Sequence, residues 1–557
     1  MKTIRVTFSD SSFVEATDQL IPLDVQQRLT PKRSGLSPVA VRVNNAVRSF
    51  RAPVRVNATL EPVWRDSKEG AAIYRRSLCF LMAAAGKQLF ANLRFLVGHS
   101  LGYGYYCTAE NLVGRGSVEF SLEQLTQLKA RMLSLVKEDL PITPDVFSYE
   151  DACATLENLG LEETRRLLDT RCPLEVTLNT MAGFATLYFG PLVSSSGALD
   201  VFDLTPCLGG FMLRFPRSDE PFCLKTEPDS PKLFEIYRGF KKRGKLLGVT
   251  SAAALSRLVY EDKTDEFIDI SETFQDKTIS AVADQIQQRG LVKVVLIAGP
   301  SSSGKTTMSK KLALQLQAIG YMPKLISLDS YYLSREKTPK DENGQYDYEC
   351  LEALDVELLN KNLVDLFSGK AVRLPSYDFS AGKSFFKGDE LHLEEGDILV
   401  IEGIHGLNDK LTPLVSPQNK FKLYVSALTQ LNLDDHNRVS TSDNRLIRRI
   451  VRDFRYRGKS AADTIAMWPN VRRGERLHIF PFQNNADAML NTALDYELPV
   501  LKVYAEPLLR CVPPTQPEYA EADRLLEFLS FFPEVPASSV PQRSIIREFI
   551  GGSTFKY

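Results

Sequence analysis

Histidine is scarce in this 557-residue chain, with five copies, and the eight cysteines at 79, 107, 153, 172, 207, 223, 350 and 511 contain no Cys-x-x-Cys pair. With no histidine cluster beside them, the cysteines are expected to be small buried residues of a reducing compartment. No run approaches the roughly 18 apolar residues of a spanning helix. The opening Met-Lys-Thr-Ile-Arg-Val-Thr-Phe also lacks the apolar core of a signal peptide. The expectation is a soluble, cytoplasmic protein with no membrane partner. Neither sign of charge is in excess, with 68 Lys and Arg against 69 Asp and Glu. Nothing global therefore argues for a nucleic-acid or membrane surface, and any such binding must be local. Internal repeats and low-complexity tracts are missing as well. What is present is 44% hydrophobic residues, in a chain longer than one core usually organises, so two to four domains are expected.

The most informative stretch runs from Gly299 through Pro300, Ser301, Ser302, Ser303, Gly304 and Lys305 to Thr306, with Thr307 next. It satisfies every fixed position of a phosphate-binding loop. The preceding residues 292 to 298 are short, β-branched and almost wholly apolar, as in a strand buried on both faces. After Lys305, Met308, Leu312, Leu316 and Ile319 recur at helical spacing and Gly320 closes the segment. A strand feeding a helix N-terminus is the context the loop needs. Gly299 and Gly304 let backbone N–H groups wrap phosphate oxygens, and the helix dipole adds positive potential. Lys305 would bridge the β- and γ-phosphates of a bound nucleotide, and Thr306 would place its hydroxyl on Mg²⁺.

Around this centre the chain divides by pattern. Residues 1–60 alternate like short strands, a small β-rich module. Within 61–225, residues 73 to 90 are helical by spacing, 93 to 97 strand-like, 148 to 168 one or two helices, and 174 to 215 a second β-rich run. A polar, Pro-rich stretch at 216 to 231 marks a boundary, and 226–285 reads as a helical linker region. The phosphate-loop domain takes 286–510, and 511–557 is an extension packed on it, with one helix over 520 to 531.

Two carboxylates fall where an α/β sheet presents its ligands, at the carboxyl ends of strands. Asp329 follows 324 to 328, and Glu402 follows 397 to 401. One such group accepts a proton from a substrate hydroxyl and the other holds a metal; either alone is also an ordinary turn or cap carboxylate. Further on, Arg445, Arg448, Arg449 and Arg452 share one face of a helical segment whose other face carries Leu446, Ile447, Ile450 and Val451. That basic face reads as a solvated surface, a nucleic-acid patch or a lid closing over phosphates.

The order of motifs resembles the uridine kinase and phosphoribulokinase family of P-loop kinases. They are the loop at 299 to 307, then Leu328-Asp329-Ser330-Tyr331-Tyr332, Pro375-Ser376-Tyr377-Asp378-Phe379, Ile401-Glu402-Gly403-Ile404-His405, and the Arg-rich segment from Arg445. The resemblance implies an α/β fold, a parallel sheet with helices on both faces, and an ATP- and Mg²⁺-dependent nucleoside salvage kinase making a 5′-monophosphate from uridine or cytidine. It implies Asp329 as general base for the ribose 5′-hydroxyl, Tyr332 and Tyr377 in the nucleoside pocket, and Glu402 with Thr306 on Mg²⁺. Lys305 and Arg448 then act in catalysis. Arg445 reaches the substrate, and Arg452 and Arg457 lie in the lid over ATP. Glu349 and Glu352 stand where uridine kinases use acids on the ribose hydroxyls. One position departs: where the family carries a pyrimidine-contacting histidine, this chain has Gly382, which relaxes or changes base specificity.

The first 220 or so residues resemble the front of threonyl-tRNA synthetases, a β-grasp module followed by an α+β editing domain. The resemblance rests on Tyr74-Arg75-Arg76-Ser77-Leu78, Gly102-Tyr103-Gly104-Tyr105-Tyr106 and Phe189-Gly190-Pro191-Leu192. The family's metal-ligand-like editing set falls here on Arg76, Phe80, Tyr188 and Leu192, so the fold is expected without the editing chemistry. His99 is expected to be structural. Three readings stay open beside the nucleoside kinase: an RNA-binding regulator using the loop as an ATP-driven switch, a scaffold with a dead kinase, and a kinase of a sugar or phosphosugar. A homo-oligomer is compatible with all of them.

Overall fold

The run Val294–Ala298 is buried at every position and forms the middle strand of a five-stranded, all-parallel sheet. The order across the sheet is Met322–Ser327, Asp397–Glu402, Val294–Ala298, Lys420–Ser426, Ala488–Asn491. Alternate side chains of these strands serve two cores. Val295, Ile297 and Val400 pack with Met308, Leu312 and Leu316 of the helix Lys305–Ala318. Val294, Leu296, Leu399 and Ile401 pack with Leu359, Leu363 and Leu366 of the helix Val356–Phe367 on the other face. The continuous apolar strands thus come from burial on both sides, as expected of a parallel sheet. The computed structural model describes residues 3–29, 36–114, 116–225, 231–342, 344–378 and 381–556.

The front of the chain forms a five-stranded mixed sheet. Thr3–Phe8 and Ala58–Trp64 run parallel at its centre, flanked by Phe13–Thr17 on one side and by Pro38–Val43 and Ala46–Arg48 on the other. The helix Lys68–Leu89 follows, capped by Ser67. It leads to an antiparallel sheet of Asp203–Cys207, Gly210–Arg214, Gly104–Asn111 and Leu93–Ser100. A separate three-stranded sheet is built from Thr143–Ser148, Glu175–Met181 and Phe184–Thr186. The expected helical stretch at 148 to 168 is two helices, Tyr149–Asn158 and Glu162–Leu168.

Two sequence expectations change. The strand before Asp329 ends at Ser327, because the Ser327 hydroxyl accepts the Asp329 N–H at 3.3 Å and starts a one-turn 3-10 helix, Leu328–Tyr331. Cys172, Cys223 and Cys511 are exposed, since they lie in turns or outside the core; every cysteine is unpaired. The helical region expected at 226–285 packs on the catalytic half. Its helix Thr264–Arg289 lies along the phosphate-loop helix, with Lys311 buried between Asp276 at 2.8 Å and Glu272 at 3.3 Å. Phe379, Ser380 and the boundary residues 226–230 lie outside the described residues.

The two halves are joined through residues 432–437, which follow the strand Lys420–Ser426. Val97 N–H donates to the Asp435 carbonyl at 2.8 Å, Asn432 Nδ2 to the Val97 carbonyl at 2.9 Å, and Asn437 Nδ2 to the Leu187 carbonyl at 2.9 Å. Arg94 pairs with Asp435 at 3.4 Å, both nearly inaccessible to water.

Candidate active site

The phosphate loop closes as its residue types require. Gly304 has φ +80°, the left-handed region a side chain avoids, and a Cβ on Gly299 would lie 2.0 Å from the Val425 carbonyl oxygen. Met308 is the first residue of the helix whose N–H finds an intrahelical acceptor, the Gly304 carbonyl at 2.9 Å. The N–H groups of Lys305, Thr306 and Thr307 therefore have no acceptor within the helix and point from its N-terminus, where an anion is favoured. The Lys305 ammonium lies against the Pro300 carbonyl at 3.3 Å. Burial lowers its pKa, offset by the charges of Glu402 and Asp329.

Glu402, the last residue of its strand, is 8% exposed. Its Oε1 accepts from the Thr306 hydroxyl at 3.3 Å and from the Ser327 hydroxyl at 2.9 Å. Burial, and then the neighbouring charge of Asp329, push its pKa up to about 7, against the pull of Lys305. A hydroxyl and a carboxylate at the mouth of a phosphate loop, with Asp329 adjacent, are the hard oxygen donors Mg²⁺ takes when it keeps water and phosphate ligands as well. The sequence-marked residues Lys305, Thr306, Asp329 and Glu402 thus share one site.

That burial has a measurable consequence for stability. A carboxyl with a higher pKa folded than unfolded contributes stability that is full below its unfolded value near 4.5 and is lost as pH rises through about 7. Glu402→Gln is therefore expected to raise the thermal midpoint at pH 8 and to leave it nearly unchanged at pH 5. Equal shifts at both pH values, by differential scanning calorimetry, would exclude a buried charge as the cause.

Tyr332 sits in an aromatic cluster. The Tyr332 ring lies 5.6 Å from that of Tyr377 and 6.1 Å from that of Tyr348, and Tyr346 lies 6.2 Å from Tyr348. The Tyr332 hydroxyl donates to the Tyr348 carbonyl at 3.1 Å. Glu349 has a pKa raised to about 7 by burial, moderated by Arg449 and Lys305, which marks it as part of the same charged cluster. At Gly382 the backbone has φ +68°, and a Cβ there would lie 2.8 Å from Nε of Arg335. The Arg335 N–H donates to the Gly382 carbonyl at 2.9 Å. An arginine thus stands over the glycine where a family histidine was expected. Neither Arg335 nor Tyr348 carries a sequence signal of its own.

The arginines of the helix Thr441–Arg457 are arranged less openly than a one-sided basic stripe suggests. Arg445 and Arg448 are 1% and 0% exposed. Arg445 pairs with Glu475 and donates from Nε to the Ser301 carbonyl at 2.9 Å. Arg448 pairs with Glu497 and donates to the carbonyls of Thr492 at 2.9 Å and Ser302 at 3.3 Å. Both hold the phosphate loop by its carbonyls, and Arg449 reaches the Ser301 hydroxyl at 2.7 Å. Arg449, Arg452 and Arg457 converge on Asp453 at 3.1, 2.8 and 3.6 Å. Burial alone would raise the Asp453 pKa, but these cations hold it below the usual value.

In the front half, Arg76, Phe80, Tyr188 and Leu192 are engaged in packing and hydrogen bonding within the chain. Arg76 donates to the Pro191 carbonyl at 2.8 Å, the Phe80 ring lies 5.9 Å from Tyr188, and Leu192 is buried. Tyr188 in turn stacks on His436 of the joining segment, at 6.4 Å and 13°. Burial lowers the His436 pKa to about 4 and that of His99 to about 3. His99 stacks on Tyr237 at 5.3 Å as a neutral ring. Among the described residues no group of three or more His, Cys, Asp or Glu side chains is placed to hold a metal. No helix there is long and apolar enough to cross a membrane.

Comparison with known proteins bears on the catalytic half. The profile of the phosphoribulokinase / uridine kinase family matches residues 294–498. A uridine kinase of Macrococcus caseolyticus (strain JCSC5402) is 34% identical over 181 residues, 32% of this chain and 78% of the relative. A uridine kinase of Limosilactobacillus reuteri (strain DSM 20016) is 35% identical over 185 residues, 33% and 75% of the two chains. Among solved structures, a putative fructose transport system kinase from Silicibacter sp. TM1040 is 18% identical, covering 38% of this chain and 98% of its own, with a TM-score of 0.27.

Proposed function

Since the chain belongs to the phosphoribulokinase / uridine kinase family, whose P-loop implies ATP as donor, we propose that it phosphorylates the 5′-hydroxyl of a nucleoside, uridine or cytidine foremost. The observation that carries this reading is the meeting of the phosphate loop, Asp329 and the tyrosines 332, 348 and 377 at one end of the sheet. Tyrosine rings offer the flat apolar faces on which a base stacks. Asp329 takes the proton of the acceptor hydroxyl as its oxygen bonds to phosphorus, and Lys305 stays beside the charge that shifts to the leaving oxygen. Thr306 and Glu402 would hold Mg²⁺, which when bound would neutralise charge on the phosphates of ATP, the phosphoryl donor. Arg445 and Arg448 keep the loop carbonyls turned back, so that its N–H groups face the anion.

A second reading, a phosphosugar acceptor, is favoured by Arg335, a guanidinium at the acceptor side able to bind phosphate in bidentate fashion. An ATP-dependent assay over uridine, cytidine, purine nucleosides and several sugar phosphates separates the two. Nucleoside monophosphates are the expected products; turnover of a sugar phosphate alone would overturn the nucleoside reading. In that case Arg335→Ala is expected to raise KM for the anionic acceptor by roughly 10- to 100-fold, the worth of a charge-assisted hydrogen bond.

For the front half, the strand order of its first sheet speaks only for a β-grasp-type module, and the burial of Phe80, Tyr188 and Leu192 argues for a structural rather than hydrolytic role there.

A further inference from the structure

The phosphate loop already holds an anion from its own chain. Of the orphan donors at the start of the helix Lys305–Ala318, the Thr307 N–H donates to Oε2 of Glu548 at 3.0 Å, and the Thr307 hydroxyl donates to the same oxygen at 2.7 Å. Glu548 is 9% exposed and belongs to a four-residue helix, Arg547–Ile550. Its neighbours are seated around the loop. A Cβ on Gly304 would lie 2.7 Å from Cγ2 of Ile545, and the Arg448 guanidinium lies 5.1 Å from the centre of the Phe549 ring. Ile545, Ile546, Phe549 and Ile550 are all 2% exposed or less. Beyond them Lys310 donates to the Lys556 carbonyl, and a Cβ on Gly551 would lie 2.5 Å from Nε of Arg455.

A carboxylate at the N–H groups of a helix N-terminus is chemically the stand-in for a phosphate oxygen. We infer that residues 541–556 are a phosphate-mimicking plug, in which Glu548 occupies one of the anion positions of the loop and must yield it when a nucleotide binds. The inference rests on the kinase reading of the site and adds a control to it. Polyphosphate and Glu548 carry the same sign, and both draw on the Thr307 N–H, so they compete for one donor and repel one another. Because Phe549 and Gly551 lie against Arg448 and Arg455 of the helix Thr441–Arg457, displacement of the plug is felt by the arginine-rich helix as well. The apolar residues of the segment keep it docked while the site is empty, and a nucleotide binds at the expense of that docking.

The substitution Glu548→Gln keeps the size of the side chain and its acceptor oxygen while removing the charge. In equilibrium binding of ATP by calorimetry on the full chain, Glu548→Gln is expected to bind roughly tenfold tighter than the wild type, the range of a charge at a helix terminus. In wild-type protein, ATP is expected to speed amide hydrogen exchange across 541–556, a readout independent of any variant's folding. Equal or weaker ATP binding by Glu548→Gln, or protection of 541–556 that rises with ATP, overturns the plug while leaving the kinase reading intact. Failure of both proteins to bind ATP overturns the plug and the kinase reading together.

Discussion

Lys305→Ala is expected to reduce phosphoryl transfer by about three orders of magnitude or more, equivalent to roughly 4 kcal/mol of transition-state stabilisation. The size of the effect follows from where the ammonium sits. It is the cation of the phosphate loop, set against the Pro300 carbonyl and feeling the charges of Glu402 and Asp329, in a partly buried site where a charge is less screened than in water. Removing it also leaves Glu402 and Asp329 facing one another with less compensation, so the Glu402 carboxyl is expected to titrate still higher than about 7. The measurement is product formation under saturating ATP and acceptor, with circular dichroism to establish folding. A folded Lys305→Ala protein that retains wild-type turnover would sink the phosphotransfer mechanism.

Asp329→Asn separates chemistry from binding. Asparagine keeps the shape at the start of the 3-10 turn and the backbone hydrogen bond to Ser327, but it cannot take up a proton. A general base contributes about 10²- to 10⁴-fold, so kcat is expected to fall within that range. ATP affinity should hold or improve, since one negative charge has left the neighbourhood of the phosphates. The split between kcat and ATP affinity is the informative readout. A fall confined to ATP affinity, with kcat intact, would move Asp329 from proton transfer to metal or nucleotide binding.

The phosphate loop was legible because its requirements are local. The apolar strand, the glycines and the helical spacing after Lys305 all lie within about 30 residues, the scale on which such patterns operate. Asp329 and Glu402 were legible one step further out, since parallel sheets present ligands at the carboxyl ends of their strands. Long-range pairing marks where legibility stops. The spacing of Arg445 and Arg448 describes a basic stripe, yet both charges are buried against Glu475 and Glu497, 30 and 49 positions away. Nothing in helical periodicity announces a partner at that distance. Arg335 over Gly382 and Glu548 at Thr307, the latter 241 positions away in sequence, are further cases in which tertiary packing decides a side chain's task. The helix Leu122–Glu138 was not read from the sequence, although its start carries the reciprocal capping pair Ser121 and Gln124.

The segment 432–437 has a consequence for what counts as the working unit of this protein. Asp434 accepts the Thr164 hydroxyl at 3.0 Å, Asp435 faces Arg94, and the Asn437 amide is spent on Leu187. Four residues later the helix that grips the phosphate loop begins at Thr441. A chain severed near residue 285 would retain every residue proposed to take part in phosphoryl transfer and would take the Thr164 hydroxyl from Asp434 and the Arg94 guanidinium from Asp435, directly upstream of Arg445 and Arg448. The front half is therefore part of the foundation on which the loop's own clamp is aligned.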